Sequence, residues 1–143
     1  MVIKRRKERG AALIESAITI PIILLVSVSI FEFGRAYQTW QVLTNAAREG
    51  ARVSIIQGKS DDEVRAAVRT YMDVGGLPLA NDASVTITLE RAVPIGANDA
   101  SRISITYPFN FIVLDPVMKL VTPSSTQGNA LTMGAVAIMR NEN

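Results

Sequence analysis

Hydrophobic positions are unevenly distributed along this chain. From Ala11 to Phe33 almost every residue is apolar, most densely over Ile18–Val26 and on through Val28, Ile30 and Phe31. Glu15 lies inside this run and Glu32 at its far end. About 20 such residues in a helix cross a bilayer core, and the run reaches that length. Beyond Phe33 the spacing becomes that of a helix with one covered side. Ala36, Trp40, Leu43, Ala47, Ala51 and Ile55 recur every three or four residues, with Gln38, Gln41, Asn45, Arg48 and Arg52 mostly turned elsewhere. Nothing interrupts the pattern before Gly58, so residues 11–57 are expected to form one rod, roughly 70 Å long at 1.5 Å per residue. Pro21 lacks the N–H that would bond the Ala17 carbonyl, which predicts a kink or a loosened turn. Ala46/Gly50 and Ala47/Ala51 make two small-xxx-small pairs, which allow close helix packing. The partner on that strip is either the chain's own strands or a neighbouring subunit.

Ser60-Asp61-Asp62-Glu63 has the form of a capping box, a serine N-cap with glutamate three residues on. Val64, Ala67, Val68 and Tyr71 follow as one helical stripe, which Gly75-Gly76 ends. After Pro78 the period falls to two. Val85, Ile87 and Leu89 alternate with polar residues, as do Ile103, Ile105 and Tyr107, and Leu131–Met139 makes a third extended run. Pro94–Asp99 is expected to be a turn-rich loop. The fold class is therefore α+β: a long N-terminal helix, a second helix and a three-stranded antiparallel sheet whose apolar face packs on the rod. Residues 109–121 alternate poorly, although Asp115-Pro116 suits the start of a short helix through Leu120. This segment either covers one end of the core or offers an apolar patch to a neighbour.

Charge changes the picture at the N-terminus. Lys4, Arg5, Arg6, Lys7 and Arg9 precede Gly10, opposed only by Glu8. The whole chain carries +2, but without residues 1–10 it has ten basic and twelve acidic residues, or −2. The basic excess thus belongs to a leader and gives no reason to expect nucleic acid. Under the positive-inside rule the leader stays cytoplasmic and everything after the span lies outside. A secretory signal peptide would need small residues at a cleavage site, and Phe31-Glu32-Phe33-Gly34-Arg35 does not supply them. An uncleaved signal anchor is the plainer alternative.

Composition then removes most site chemistry. The chain has no cysteine and no histidine, so disulfide scaffolds, thiolate zinc sites and histidine-based catalytic or metal sites are excluded. No Gly-x-Ser-x-Gly motif is present. Asp61, Asp62 and Glu63 belong to a helix cap and lack the spacing of a calcium loop. No catalytic residue, metal or cofactor is expected. Glu32 and Arg35, three residues apart on one side of the helix, with Tyr37 and Trp40 nearby, suit a membrane-interface anchor.

What remains is Glu15. An ionisable residue within a membrane helix costs about 2.5–3.5 kcal/mol even on lenient insertion scales and is a functional candidate by default. A basic leader, Gly10 and a glutamate five residues later resemble type IV prepilins. More specifically, Gly10–Glu15, Pro21, Phe31–Arg35 and Leu43–Arg52 resemble the TadE-like family, the pilin-like proteins of the Tad (tight adherence) pilus system. The resemblance is specific over residues 5–57, and Met139–Glu142 also fits it. It implies cleavage between Gly10 and Ala11 by a prepilin peptidase. It further implies pairing of the Glu15 carboxylate with the new ammonium group on Ala11 of a neighbouring subunit. Ser16 stands where the family usually has an aromatic residue. The function implied is that of a minor pilin-like (pseudopilin) subunit acting in pilus assembly, adherence and biofilm formation. Its partners would be other pilin-like subunits, the prepilin peptidase, the Tad inner-membrane assembly platform and membrane lipid. The division expected is a leader at 1–10, a helix at 11–57 with 11–33 in the bacterial inner membrane, and an extracytoplasmic domain at 58–143. An uncleaved single-pass adaptor of the assembly complex is the alternative.

Overall fold

A computed structural model describes residues 3–96, 98–121 and 131–141, with backbone alone for 3–9 and 121. Helix α1 runs unbroken from Ile3 to Ser54, 52 residues with Pro21 inside it, about 78 Å at 1.5 Å per residue. It begins earlier than the apolar run requires and stops at Ser54, short of the expected Gln57. Ser27 and Ser29 return their hydroxyls to the carbonyls of Ile23 and Leu25 at 2.8 and 2.7 Å. Their polar atoms are thereby satisfied within an apolar stretch.

Helix α2 spans Asp61–Val74, and its capping box forms in full: Glu63 N–H donates to Ser60 Oγ and Ser60 N–H to the Glu63 carboxylate. Its buried side is Val64, Val68 and Met72. Tyr71, expected in that stripe, is 40% exposed. Strands β1 (Thr86–Ile95), β2 (Asn98–Phe109) and β3 (Leu131–Arg140) form an antiparallel sheet in the order β1-β2-β3. The strands reach into the expected loop at 94–99, because Pro94 and Ile95 already pair with Asp99 and Asn98. Gly96, at φ 62°, supplies the left-handed backbone that a tight hairpin demands. Between β2 and β3 a short helix α3 covers Leu114–Val121.

Register lines the buried face up in rows across the sheet. Ile87 faces Ile105, which faces Ala135; Leu89 faces Ile103, which faces Ala137. Small side chains on β3 leave room where α1 crosses it. The core is filled by Leu43 of α1, Val64, Val68 and Met72 of α2, and Ile103 and Ile105 of β2, all at most 1% exposed. Each such burial contributes about 1.5–3 kcal/mol. The covered stripe of α1 is Thr39, Leu43, Ala46, Ala47, Gly50, Ala51 and Ser54. Trp40, placed in that stripe by its spacing, stands at the flank, 46% exposed. An indole there would hold the sheet off the helix, whereas alanine and glycine let it close.

Candidate functional site: the N-terminal helix and its junction with the domain

Along α1 the environment changes twice. Residues 11–26 are exposed throughout, including Leu13, Ile18, Ile22 and Leu25. Water does not tolerate a continuous apolar surface of that kind. By length and composition α1 is the one described helix able to cross a membrane, compatible with a single-pass membrane protein. Glu15 lies on this exposed part with no ion pair or hydrogen bond among the described side chains. Gly10 has an ordinary helical backbone, and a Cβ there would meet nothing within 4 Å. Among the described residues nothing therefore requires glycine at that position. The bond from Gly10 to Ala11 lies inside the helix. Of the expected leader, residues 1–2 and the side chains of 3–9 lie outside the described residues.

The upper third of α1 is buried under its own domain. Ala46, Ala47 and Ala51 are fully covered, and a Cβ on Gly50 would overlap Val68 Cγ2. The small-residue strip is thus occupied from within the chain by α2 and the sheet. Glu49 and Arg52 sit beside it as a two-bond ion pair at 2.7 and 2.9 Å. The Arg52 hydrogen bonds hold the Glu49 carboxyl below its ordinary pKa, against some desolvation.

Between these parts lies a junction at Glu32–Trp40. Glu32, only 6% exposed, accepts the N–H of Ile112 at 2.7 Å and lies 3.5 Å from Arg35. Arg35 donates to the Asn110 carbonyl at 2.5 Å, and its guanidinium carbon lies 4.6 Å from the centre of the Phe109 ring. Phe111 packs edge-on against both Phe109 and Phe33, at 5.2 and 5.9 Å. The pair read as an interface anchor is thus turned inward, tying the segment after β2 to the helix. Tyr37 and Trp40 face outward, their rings 6.0 Å apart, with Tyr37 OH accepting from Gln41. The open cleft beside this junction, about 440 Å³, runs from Arg35 and Thr39 past Leu77 to Tyr107. Among the described residues no acidic cluster is placed to hold a metal ion.

Sequence reasoning missed Arg91. The β1–β2 pairing slips between Glu90 and Val93, and Ala92 takes φ 57°. This bulge directs Arg91 to three acceptors: the carbonyls of Ser54 and Lys59 at 2.9 Å each, and Asp61 Oδ1 at 2.8 Å. One side chain thereby closes the end of α1, the connecting loop and the start of α2. Asn141 ties down the chain end in the same manner, its N–H donating to Asp99 O at 2.9 Å while Ser101 Oγ donates to its side chain. Glu142, of the same terminal block, lies outside the described residues.

The TadE-like protein family model matches residues 10–52. That family comprises Tad pilus-associated, pilin-like proteins, a structural rather than enzymatic kind. The matched segment is under a third of the chain and lies wholly within α1. It contains Gly10, Glu15, the exposed apolar run, the Glu32–Arg35 junction and the buried small-residue strip. No curated protein and no solved structure matches the chain.

Proposed function

We propose, from the TadE-like match over residues 10–52, that this chain is a minor pilin-like subunit of a Tad-type pilus. A prepilin peptidase removes residues 1–10, and the mature helix holds the protein in the inner membrane with its α+β domain outside the cytoplasm. Its work lies in pilus assembly, and through the pilus in adherence and biofilm formation.

The observation that carries this reading is Glu15. Among the described side chains it has no partner on its exposed apolar helix, five residues after a glycine that no described residue makes necessary. A carboxylate in lipid requires a cation, and cleavage after Gly10 creates one, the ammonium group of Ala11. Within one chain that amine lies at the head of the same helix. Between chains, a shift along the helix axis brings the amine of one subunit to the carboxylate of the next and fixes their register. To be cut, the Gly10–Ala11 bond must leave the helix, which requires the first turns of α1, from Ile3 onward, to open locally.

Intact mass and N-terminal sequencing test the first step. In cells with an active prepilin peptidase the chain should begin at Ala11, and Gly10→Val should keep it beginning at Met1. Glu15→Ala should insert and be cleaved but fail to assemble. A wild-type chain that still begins at Met1 in such cells would leave the alternative, an uncleaved single-pass adaptor of the assembly complex. The unbroken helix across Gly10 and Ala11 favours that second reading.

A further inference from the structure

The domain end beside the exit of the apolar helix is built unlike the rest of the surface. Glu32 draws the Ile112 backbone against α1 at 2.7 Å, and Phe111 packs on Phe33. This fixes residues 111–112 at the height where the exposed apolar run ends. From there the side chains turn outward: Ile112 is 66% exposed and Val113 39%, and Leu120, near the far end of α3, is 83% exposed. Leu131, where β3 begins opposite Phe109, adds a further half-exposed apolar side chain.

The carboxylates of this end point the other way. Glu32 is consumed by the Ile112 N–H, and Asp115 accepts the Phe111 N–H at 3.1 Å. Lys119, by contrast, is exposed. Among residues 109–120 the one acid, Asp115, is half-buried against the Phe111 N–H and the one cation, Lys119, is exposed, so the outward surface is mainly apolar with a single positive charge. This composition suits the headgroup–acyl boundary of an anionic bilayer.

We propose that Ile112, Val113 and the outer side of α3 form a second membrane contact, which seats the domain on the outer lipid surface. The proposal rests on residues 11–33 spanning the bilayer. Its distinctive support is continuity, since the patch begins at the level of Phe33, where the apolar helix surface ends. The span alone would leave the domain free to tilt on a single helix. A second contact, offset to one side and fastened through Glu32 and Arg35, restricts that tilt.

The chain has no native cysteine, so single labels can be placed cleanly. Spin labels go on Leu25→Cys, Ile56→Cys, Ile112→Cys and Leu120→Cys, all at exposed positions, in the full chain reconstituted into phosphatidylethanolamine–phosphatidylglycerol vesicles. Collisions with oxygen report lipid, and collisions with a polar nickel chelate report water. The labels at 112 and 120 should favour oxygen, approaching the label at 25, while the label at 56 favours the chelate. If 112 and 120 match 56 while 25 favours oxygen, the second contact is refuted and the span stands. If 25 also favours the chelate, the span itself fails and the proposal falls with it. Labels at 112 and 120 shielded from both reagents, with label–label broadening that grows with protein density, would show that a second copy covers the patch instead. That too would overturn it.

Discussion

Replacing Glu32 with alanine tests the tie between rod and domain. The Glu32 carboxylate is 6% exposed and accepts the Ile112 N–H at 2.7 Å. A hydrogen bond to a charged group contributes about 1.5–3 kcal/mol. The ion pair with Arg35 adds little: it is 3.5 Å long and the Arg35 side chain is 40% exposed, so about 0.2–1 kcal/mol applies. Together these predict a loss of about 2–3 kcal/mol, concentrated on the segment after β2 because the core at Leu43 and Ile103 is untouched. Amide exchange at Ile112 reads that segment directly. At 1.4 kcal/mol per tenfold change, its protection should fall at least about 30-fold in Glu32→Ala. In Glu32→Gln, which keeps an acceptor oxygen, it should fall several-fold. Amides of β1 should change far less. Unchanged exchange at Ile112 in Glu32→Ala would refute the reasoning, since it would mean the bond is not what holds the segment to α1.

Four further perturbations test other parts of the fold. Gly50→Ala places a methyl against Val68 and Ile103 and should lower the denaturation midpoint, overpacking costing about 1–3 kcal/mol. Gly34→Ala, with open space around it, should raise the midpoint, adding up to about 1 kcal/mol of stability. Arg91→Ala removes the donors to the Ser54 and Lys59 carbonyls and should cost about 1–3 kcal/mol, with faster proteolysis at residues 55–60 as the readout. Glu63 has its carboxyl held down to about 2, first by the Lys59 ammonium group and then by the Ser60 N–H. Because the folded value is depressed, its contribution is present above about pH 4.5 and is lost as pH falls toward 2. Loosening of the first turn of α2 across that window, followed by NMR, should vanish in Glu63→Gln.

The elements were legible because each announces its period. The apolar run, the three-and-four spacing after it, the capping box and the alternating strands all depend on neighbours in sequence. What sequence could not show were contacts made at a distance. Glu32 meets Ile112 eighty positions away, and Arg35 meets Asn110 seventy-five away. With those partners unseen, an acid–base pair at the end of an apolar helix looks like an interface anchor. The available signal was the break in alternation after Phe109, apolar residues with no strand to belong to. Arg91 left less trace. Its direction depends on a bulge at Ala92, a residue type that carries no mark of positive φ. The small-residue strip was legible as a packing surface, but its occupant was decided by the fold.

That occupancy narrows how subunits can meet. Ala46, Ala47, Gly50 and Ala51 are spent on α2 and the sheet, so the upper part of α1 has no smooth face left for a neighbour. Its outer side carries Tyr37, Trp40, Arg48 and Arg52, bulky or charged residues that hold a second helix away. Below Glu32 the reverse is true: every face from Ala11 to Val26 is open. Close helix-to-helix contact between copies, if the proposed assembly forms, is therefore confined to the membrane part, where Glu15 is the only charge after Gly10 and before Glu32. Packing between apolar helices in lipid gains little from the hydrophobic effect and is weakly specific in register. In the proposed assembly, a single carboxylate pairing with a single amine would supply the register that the surrounding aliphatic surface lacks.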